Sequence, residues 1–139
     1  MKAPPVPLYT ELGENQIRLL TLQPSRLFAA SIHTVLHTTN VFSAPAYKAL
    51  SYVWGDSELT APVFVNNLPF EATTNLVAAL RHIRRKRHNV VIWVDAICIN
   101  QNDTKERNHQ VQMMREIYMK ADQVIAWLGE AKDDSDLAM

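Results

Sequence analysis

Three acidic residues occupy equivalent places in a recurring local pattern: Trp54-Gly55-Asp56, Trp93-Val94-Asp95 and Trp127-Leu128-Gly129-Glu130. Each segment closes an apolar run, so each run ends in an aromatic ring followed within three residues by a carboxylate. Brought together, such pairs suit the hydroxyls of a ribose or sugar, or a cation. The ring supplies an apolar wall and the carboxylate accepts hydrogen bonds. A plainer account is that strand ends are where chains turn polar, while aromatics fill sheet cores. That account suffices for any one acid, whereas the recurrence in all three favours a site.

A second group follows Asp95. The polar corner Asn100-Gln101-Asn102-Asp103 leads into Glu106 and Arg107. Asp103-Thr104-Lys105-Glu106 fits a helix-capping box, in which Glu106 reaches back to the cap amide. The chemical alternative has both residues on the same rim, Glu106 as acid/base or ribose ligand and Arg107 as a phosphate clamp. Cys98 could be a nucleophile paired with His109, but a lone cysteine in an apolar patch is more often a small buried hydrophobe. His33 and His37 would share a strand face roughly 13 Å apart, too far for one metal ion. Ser51 lacks the flanking glycines of a nucleophile elbow. The basic run Arg81–His88 could contact phosphate, yet such runs are usually a solvated helix face and end, and nucleic-acid binding is the weaker reading.

These residues need strands and helices to position them. Residues 90–94 form a β-branched apolar run that reads as a strand buried on both faces. Residues 17–22, 33–41, 47–54 and 124–128 read as further strands, the last also buried. Residues 61–72 read as a hairpin turning at Asn66-Asn67, and Pro69 puts it at a sheet edge. Thr73 or Thr74 caps a helix to about Arg87, with Leu76, Leu80 and Ile83 as its apolar stripe and basic residues in its last turn. A second helix runs from about Lys105 to Ala121, with Asp103 as N-cap and Val111, Met114, Ile117, Tyr118 and Ala121 as its inner stripe. From residue 47 onward the strand–helix alternation implies right-handed crossovers and a doubly wound, mainly parallel sheet. The N-terminal strands and the hairpin would then be additions at its edge. Asp56, Asp95 and Glu130 would then converge on one rim, with the corner after Asp95, at the carboxyl ends of the strands, where open α/β sheets bind ligands.

With 139 residues, 47% apolar and 20% charged, the chain suits one globular domain. It divides into an N-terminal arm and strands (1–46), an α/β core (47–130) and an acidic tail (131–139). A formal net charge of zero gives no global pull toward nucleic acid or acidic membrane. One cysteine makes no internal disulfide and points to a reducing, cytoplasmic compartment. No apolar run approaches the ~20 residues of a membrane helix, and the first twelve residues lack a secretory apolar core. Three glycines argue against a glycine-rich phosphate loop.

Three ordered blocks, YKALSYVWGD, TTNLVAALRHIR and IWVDAICINQNDTKERNHQVQMMREIYMKADQVIAWLGE, closely resemble the fungal heterokaryon-incompatibility (HET) domain, as does the upstream IRLLTLQP. The resemblance covers residues 17–22 and nearly all of 47–130. It implies a cytosolic module of filamentous fungi that triggers programmed cell death after non-self recognition. The family is considered similar to TIR domains, which are flavodoxin-like parallel sheets; several hydrolyse NAD, and others only assemble signalling complexes. On the enzymatic version Asp95 and Glu106 assist glycosidic cleavage, and Asp56, Trp54 and Asn100 hold the ligand. Arg107 holds its phosphate. NAD is then a substrate or ligand, with no required cofactor and no metal. On the other version the module self-associates or recruits death-signalling partners. The catalytic glutamate of TIR enzymes lies on a helix later than the strand matched by 124–128, so its equivalent is expected to be missing and the chain to be a truncated or isolated module.

Overall fold

The structure, a computed structural model, describes residues 8–52 and 58–129. Trp54, Asp56 and Glu130, the arm at 1–7 and the tail at 131–139 lie outside the described residues. The elements are β1 (Gln16–Leu22), β2 (His33–Asn40), β3 (Lys48–Tyr52), β4 (Thr60–Val65), β5 (Leu68–Thr73), α1 (Thr74–Ile83), β6 (Val90–Trp93), α2 (Asp95–Cys98), α3 (Thr104–Lys120) and β7 (Gln123–Trp127). The strands form one sheet in the order β5-β4-β2-β1-β6-β3-β7.

The sheet is mixed. β3 runs parallel to β6 and β7, and β2 to β4, whereas β1 is antiparallel to β2 and β6, and β4 to β5. The mainly parallel arrangement expected from the strand–helix alternation is thus confined to the block β6-β3-β7 and the short β2–β4 pairing. The N-terminal strands are not edge additions either, because β1 is fourth of seven. Its residues explain this: Ile17, Leu19, Leu20 and Leu22 are all buried, so both faces are apolar and an edge place would wet one of them. β6 sits beside it with Ile92 and Trp93 fully buried, as its apolar run requires.

The hairpin is at the edge, with β5 outermost. Asn66 and Asn67 both take positive φ (53° and 67°), the conformation of a two-residue turn whose twist matches the strands. Val65 and Leu68 flank the turn as partners, which puts Phe64 opposite Pro69 and points the missing N–H of Pro69 away from the sheet. Asn66 Oδ1 also accepts a 2.9 Å bond from Leu36 N on β2. Asn66→Ala is expected to cost about 1–2 kcal/mol, from left-handed strain plus the lost bond. The midpoint of denaturant unfolding measures it, and an unchanged midpoint would show that the turn relaxes freely.

Helices α1 and α3 cover opposite faces. Ala49 is in register with both Trp93 and Val124, so those three share a face, and the Trp93 ring meets Tyr118 of α3 edge-on at 5.6 Å. Trp127, three residues beyond Val124, points to the other face, where it meets His82 of α1 at 4.8 Å. Thr73 caps α1, its hydroxyl accepting from Leu76 N, and Leu76, Val77, Leu80 and Ile83 are buried.

α1 ends at Ile83 rather than near Arg87 because Arg84 turns extended (ψ 137°). The Arg84 side chain is buried, and its guanidinium donates to the carbonyls of Ala30, Ser31, Leu27 and Phe28 at 2.9–3.1 Å. The basic run is therefore not simply a solvated helix end. One of its arginines bolts the β1–β2 connection to α1.

Two further expectations are corrected. Val111 is 54% exposed, whereas Met114, Ile117, Tyr118 and Ala121 pack on the core as expected, and the inner face is extended by Glu106, the fully buried Gln110 and Met113. Gln110 takes the inner place because its Nε2 donates to Gln16 O of β1. β7 is an edge strand and not a buried one, with Val124 exposed and Ile125 and Trp127 half-buried. No helix among the described residues is long and apolar enough to cross a membrane.

Candidate functional site

β3, β6 and β7 point the same way, so the chain leaves all three at one rim. In sequence they come as β3, β6, β7, but in space β3 lies between the other two. The chain moves from β3 to one side with α1 on one face, then returns past β3 with α3 on the other. The winding therefore reverses at β3, and the carboxyl ends of β3 and β7 form a topological switch point, the place where open α/β sheets bind ligands.

Tyr52 and Trp127 are register partners there. Trp127 Nε1 donates to Asn75 Oδ1 at 3.2 Å, which fixes the indole against α1. Gly129 turns the chain just beyond, at φ +119°, a conformation that disfavours a side chain. On the neighbouring strand end Asp95 opens α2, partly buried. Burial pushes its carboxyl above the usual range, against the opposing pull of the backbone amides of Ala96 and Asp95 itself. The phenols of Tyr52 and Tyr118 are also raised, first by burial and then by the Asp95 charge, so all three groups share one electrostatic neighbourhood. Trp54 and Asp56, which follow β3 in the chain, and Glu130, which follows β7, lie outside the described residues, so Asp95 is the one member of the acidic trio with a described position.

A raised carboxyl binds its proton more readily in the folded state. Asp95 therefore favours folding below its unfolded pKa, and that contribution is lost as pH rises through the folded value. Asp95→Asn is accordingly expected to keep or raise stability near neutral pH, with the gain shrinking as pH falls. Thermal melts of both proteins across pH 4–8 check the sign (about the carboxylate range).

Glu106 faces inward. Arg18 Nη1 and Nη2 donate to its Oε2 and Oε1 at 2.6 and 2.9 Å, and Asn100 N donates to Oε2 at 2.7 Å. Asp103 caps α3 as expected, its Oδ1 accepting from Glu106 N, but the Glu106 carboxylate reaches Asn100 N and Arg18 rather than the cap amide. Arg18 is 1% exposed and also donates to the carbonyls of Cys98 and Thr10, with the Tyr9 ring 4.7 Å from its guanidinium carbon. Tyr9 in turn donates to Ile97 O at 2.7 Å. Both carboxylate oxygens of Glu106 are engaged, and together these contacts lock the polar corner and the N-terminal segment onto β1.

Arg107, one position further on, is turned about 100° around the helix and exposed. The two residues therefore do not face one way. Asn100 Oδ1 accepts from Asn102 N, which shapes the corner. Cys98 is fully buried, with its thiol pushed up to about 12, and the His109 Nε2–H donates to Glu14 O, so the two make no nucleophile–base pair. A hollow of about 250 Å³ opens beside these residues, lined by Glu11, Glu14, Asp103, Lys105, Glu106 and His109; it lies along α3 and the start of β1 rather than at the switch point. Arg18 is the site residue that the sequence reading passed over. Its signal was present, since an arginine between Ile17 and Leu19 in an apolar strand requires a buried counter-ion.

The profile of the family described as "Heterokaryon incompatibility protein (HET)" matches residues 47–139. The chain is also similar to "Heterokaryon incompatibility protein 6, OR allele" of Neurospora crassa, at 40% identity over 88% of this chain and 20% of that protein. The chain thus spans about a fifth of that relative's length. No solved structure matches it. The match over the switch-point strands and the α3 corner, together with this relative, shows that the chain belongs to the heterokaryon incompatibility (HET) family.

Proposed function

We propose that this chain acts in fungal heterokaryon incompatibility as a cytoplasmic cell-death signalling module, with a TIR-like parallel block whose rim takes NAD or a related nucleotide. The observation that carries the ligand reading is the reversal of winding at β3, with helices on opposite faces of β6-β3-β7. Around that point Trp127 offers an aromatic wall, Asn75 is fixed beside it, and Asp95 supplies a partly buried carboxyl next to two tyrosines. In the hydrolytic version the bond between nicotinamide nitrogen and ribose C1′ breaks. Water adds its hydroxyl to C1′, nicotinamide leaves with the bonding pair, and a proton is released. Asp95 would hold the ribose hydroxyls or the water, and Glu106 would act through the corner it braces.

The test is incubation with NAD, measuring both binding by calorimetry and nicotinamide release. Asp95→Asn is expected to lower release about 10²–10⁴-fold without loss of fold. Neither binding nor release at high protein concentration would end the nucleotide reading, and full activity in Asp95→Asn would remove Asp95 from it.

A second reading, a self-associating scaffold, is favoured by β7. Among the described residues it is the last strand in the sheet, and its Val124 and the following Leu128 are 49% and 72% exposed. It expects death signalling to survive Asp95→Asn and to fail when Val124→Lys blocks edge pairing.

A further inference from the structure

We infer that the end of the sheet opposite the rim is a peripheral docking surface for an anionic lipid bilayer. Two connections meet there, residues 23–32 after β1 and 84–89 before β6. They are joined by the four Arg84 guanidinium bonds and by Ser25 N donating to Arg85 O at 3.0 Å. The turn so held presents Leu27 and Phe28 at 70% and 57% exposure, two large apolar side chains at a tip rather than in a groove. Phe28 is steadied by an edge contact to His82 at 5.1 Å.

Around this tip stand Arg26, Arg85, Lys86 and Arg87, all exposed, and neither connection contains an acid. Asp122, which borders the surface, is paired with Lys48 at 3.6 Å. A chain of zero formal net charge, with 14 lysines and arginines in all, has therefore placed a local group of exposed cations in the two connections that carry an apolar tip. The chemistry that complements both features at once is an anionic bilayer. The acyl region takes Leu27 and Phe28, while the headgroup phosphates meet the ring of cations. A nucleic acid would use the cations but has no use for an exposed leucine, and an acidic protein would need a pocket to accept the tip. The tip itself shares no residue with the rim, though His82 meets both Phe28 and Trp127.

Co-sedimentation of the 139-residue chain with phosphatidylcholine vesicles, with and without phosphatidylserine, tests the inference. Binding is expected only to the anionic vesicles and to fall with added salt. L27S/F28S and K86E/R87E are each expected to weaken it at least about tenfold while leaving the thermal melt in place. Should either pair lower the melt, the single variants Leu27→Ser and Arg87→Gln replace it, since these side chains carry no described bond. No binding to anionic vesicles at low salt would overturn the inference, as would equal binding to neutral ones or unchanged binding by L27S/F28S. Tighter capture by an acidic peptide or duplex DNA than by vesicles would also overturn it and assign the surface to that class.

Discussion

Glu106→Ala is expected to destabilise the chain by about 3–5 kcal/mol, because it strands the Arg18 guanidinium in the sheet without its counter-ion. Arg18 is 1% exposed and donates to both carboxylate oxygens of Glu106, at 2.6 and 2.9 Å, so water cannot take over the lost contact without opening the core. The same change frees Asn100 N and with it the corner before α3. Removing both charges tells a different story. R18M/E106L replaces the pair by apolar side chains of similar reach and is expected to recover much of the loss. Chemical denaturation of wild type, both single variants and the double variant measures the coupling. If the single losses simply added in the double variant, the pair would not be the unit described here. Glu106→Gln is also informative, since it keeps the shape and one acceptor but loses the charge, and it should fall between wild type and alanine.

Arg84→Ala is expected to cost about 2–3 kcal/mol, less than four independent bonds would suggest. Its acceptors lie in a connection whose residues 26–29 are exposed, so water can solvate the carbonyls that the guanidinium leaves. What water cannot do is hold the turn in one shape. Arg84→Lys should therefore rescue little, because an ammonium cannot reach four carbonyls with a planar fork. Thermal unfolding reads the stability, and amide exchange at Ala30, whose N–H bonds Leu27 O, reads the loosening. Faster exchange there with an unchanged melt would place the clamp's effect wholly in the turn. An unchanged rate would contradict the clamp.

The strands were legible from the sequence because their burial writes itself into residue type: 17–22, 33–41 and 90–94 lie within a residue of the observed elements. The turn at Asn66-Asn67 and the caps Thr73 and Asp103 were legible because each is a local rule about one side chain and one amide. Sheet order was not local. The apolarity of IRLLTL says that β1 is covered on both faces, but nothing in it names β2 and β6 as neighbours. The α3 stripe was misread at Val111 and left incomplete for a related reason: its inner positions include Glu106 and Gln110, polar residues that a hydrophobic pattern passes over and that bond β1 through Arg18 and the Gln16 carbonyl. β7 looked buried because VIAWL is apolar, whereas its outer face is open among the described residues. For the candidate site, the parallel strand ends and Asp95 were legible. Arg18, which engages Glu106, was not, because it lies on a strand 88 residues away.

That separation has a consequence for how the protein is made. β1 and β2 leave the ribosome as a hairpin in which β1 is apolar on both faces, while its second neighbour, β6, has not been synthesised. Its buried arginine waits for a glutamate 88 residues downstream, about 4–18 s at about 5–20 residues per second. During that interval a sticky, charge-bearing strand stands open at the centre of an unfinished sheet. The nascent chain is therefore most exposed to aggregation, and most dependent on chaperone capture, before α3 emerges and seals it.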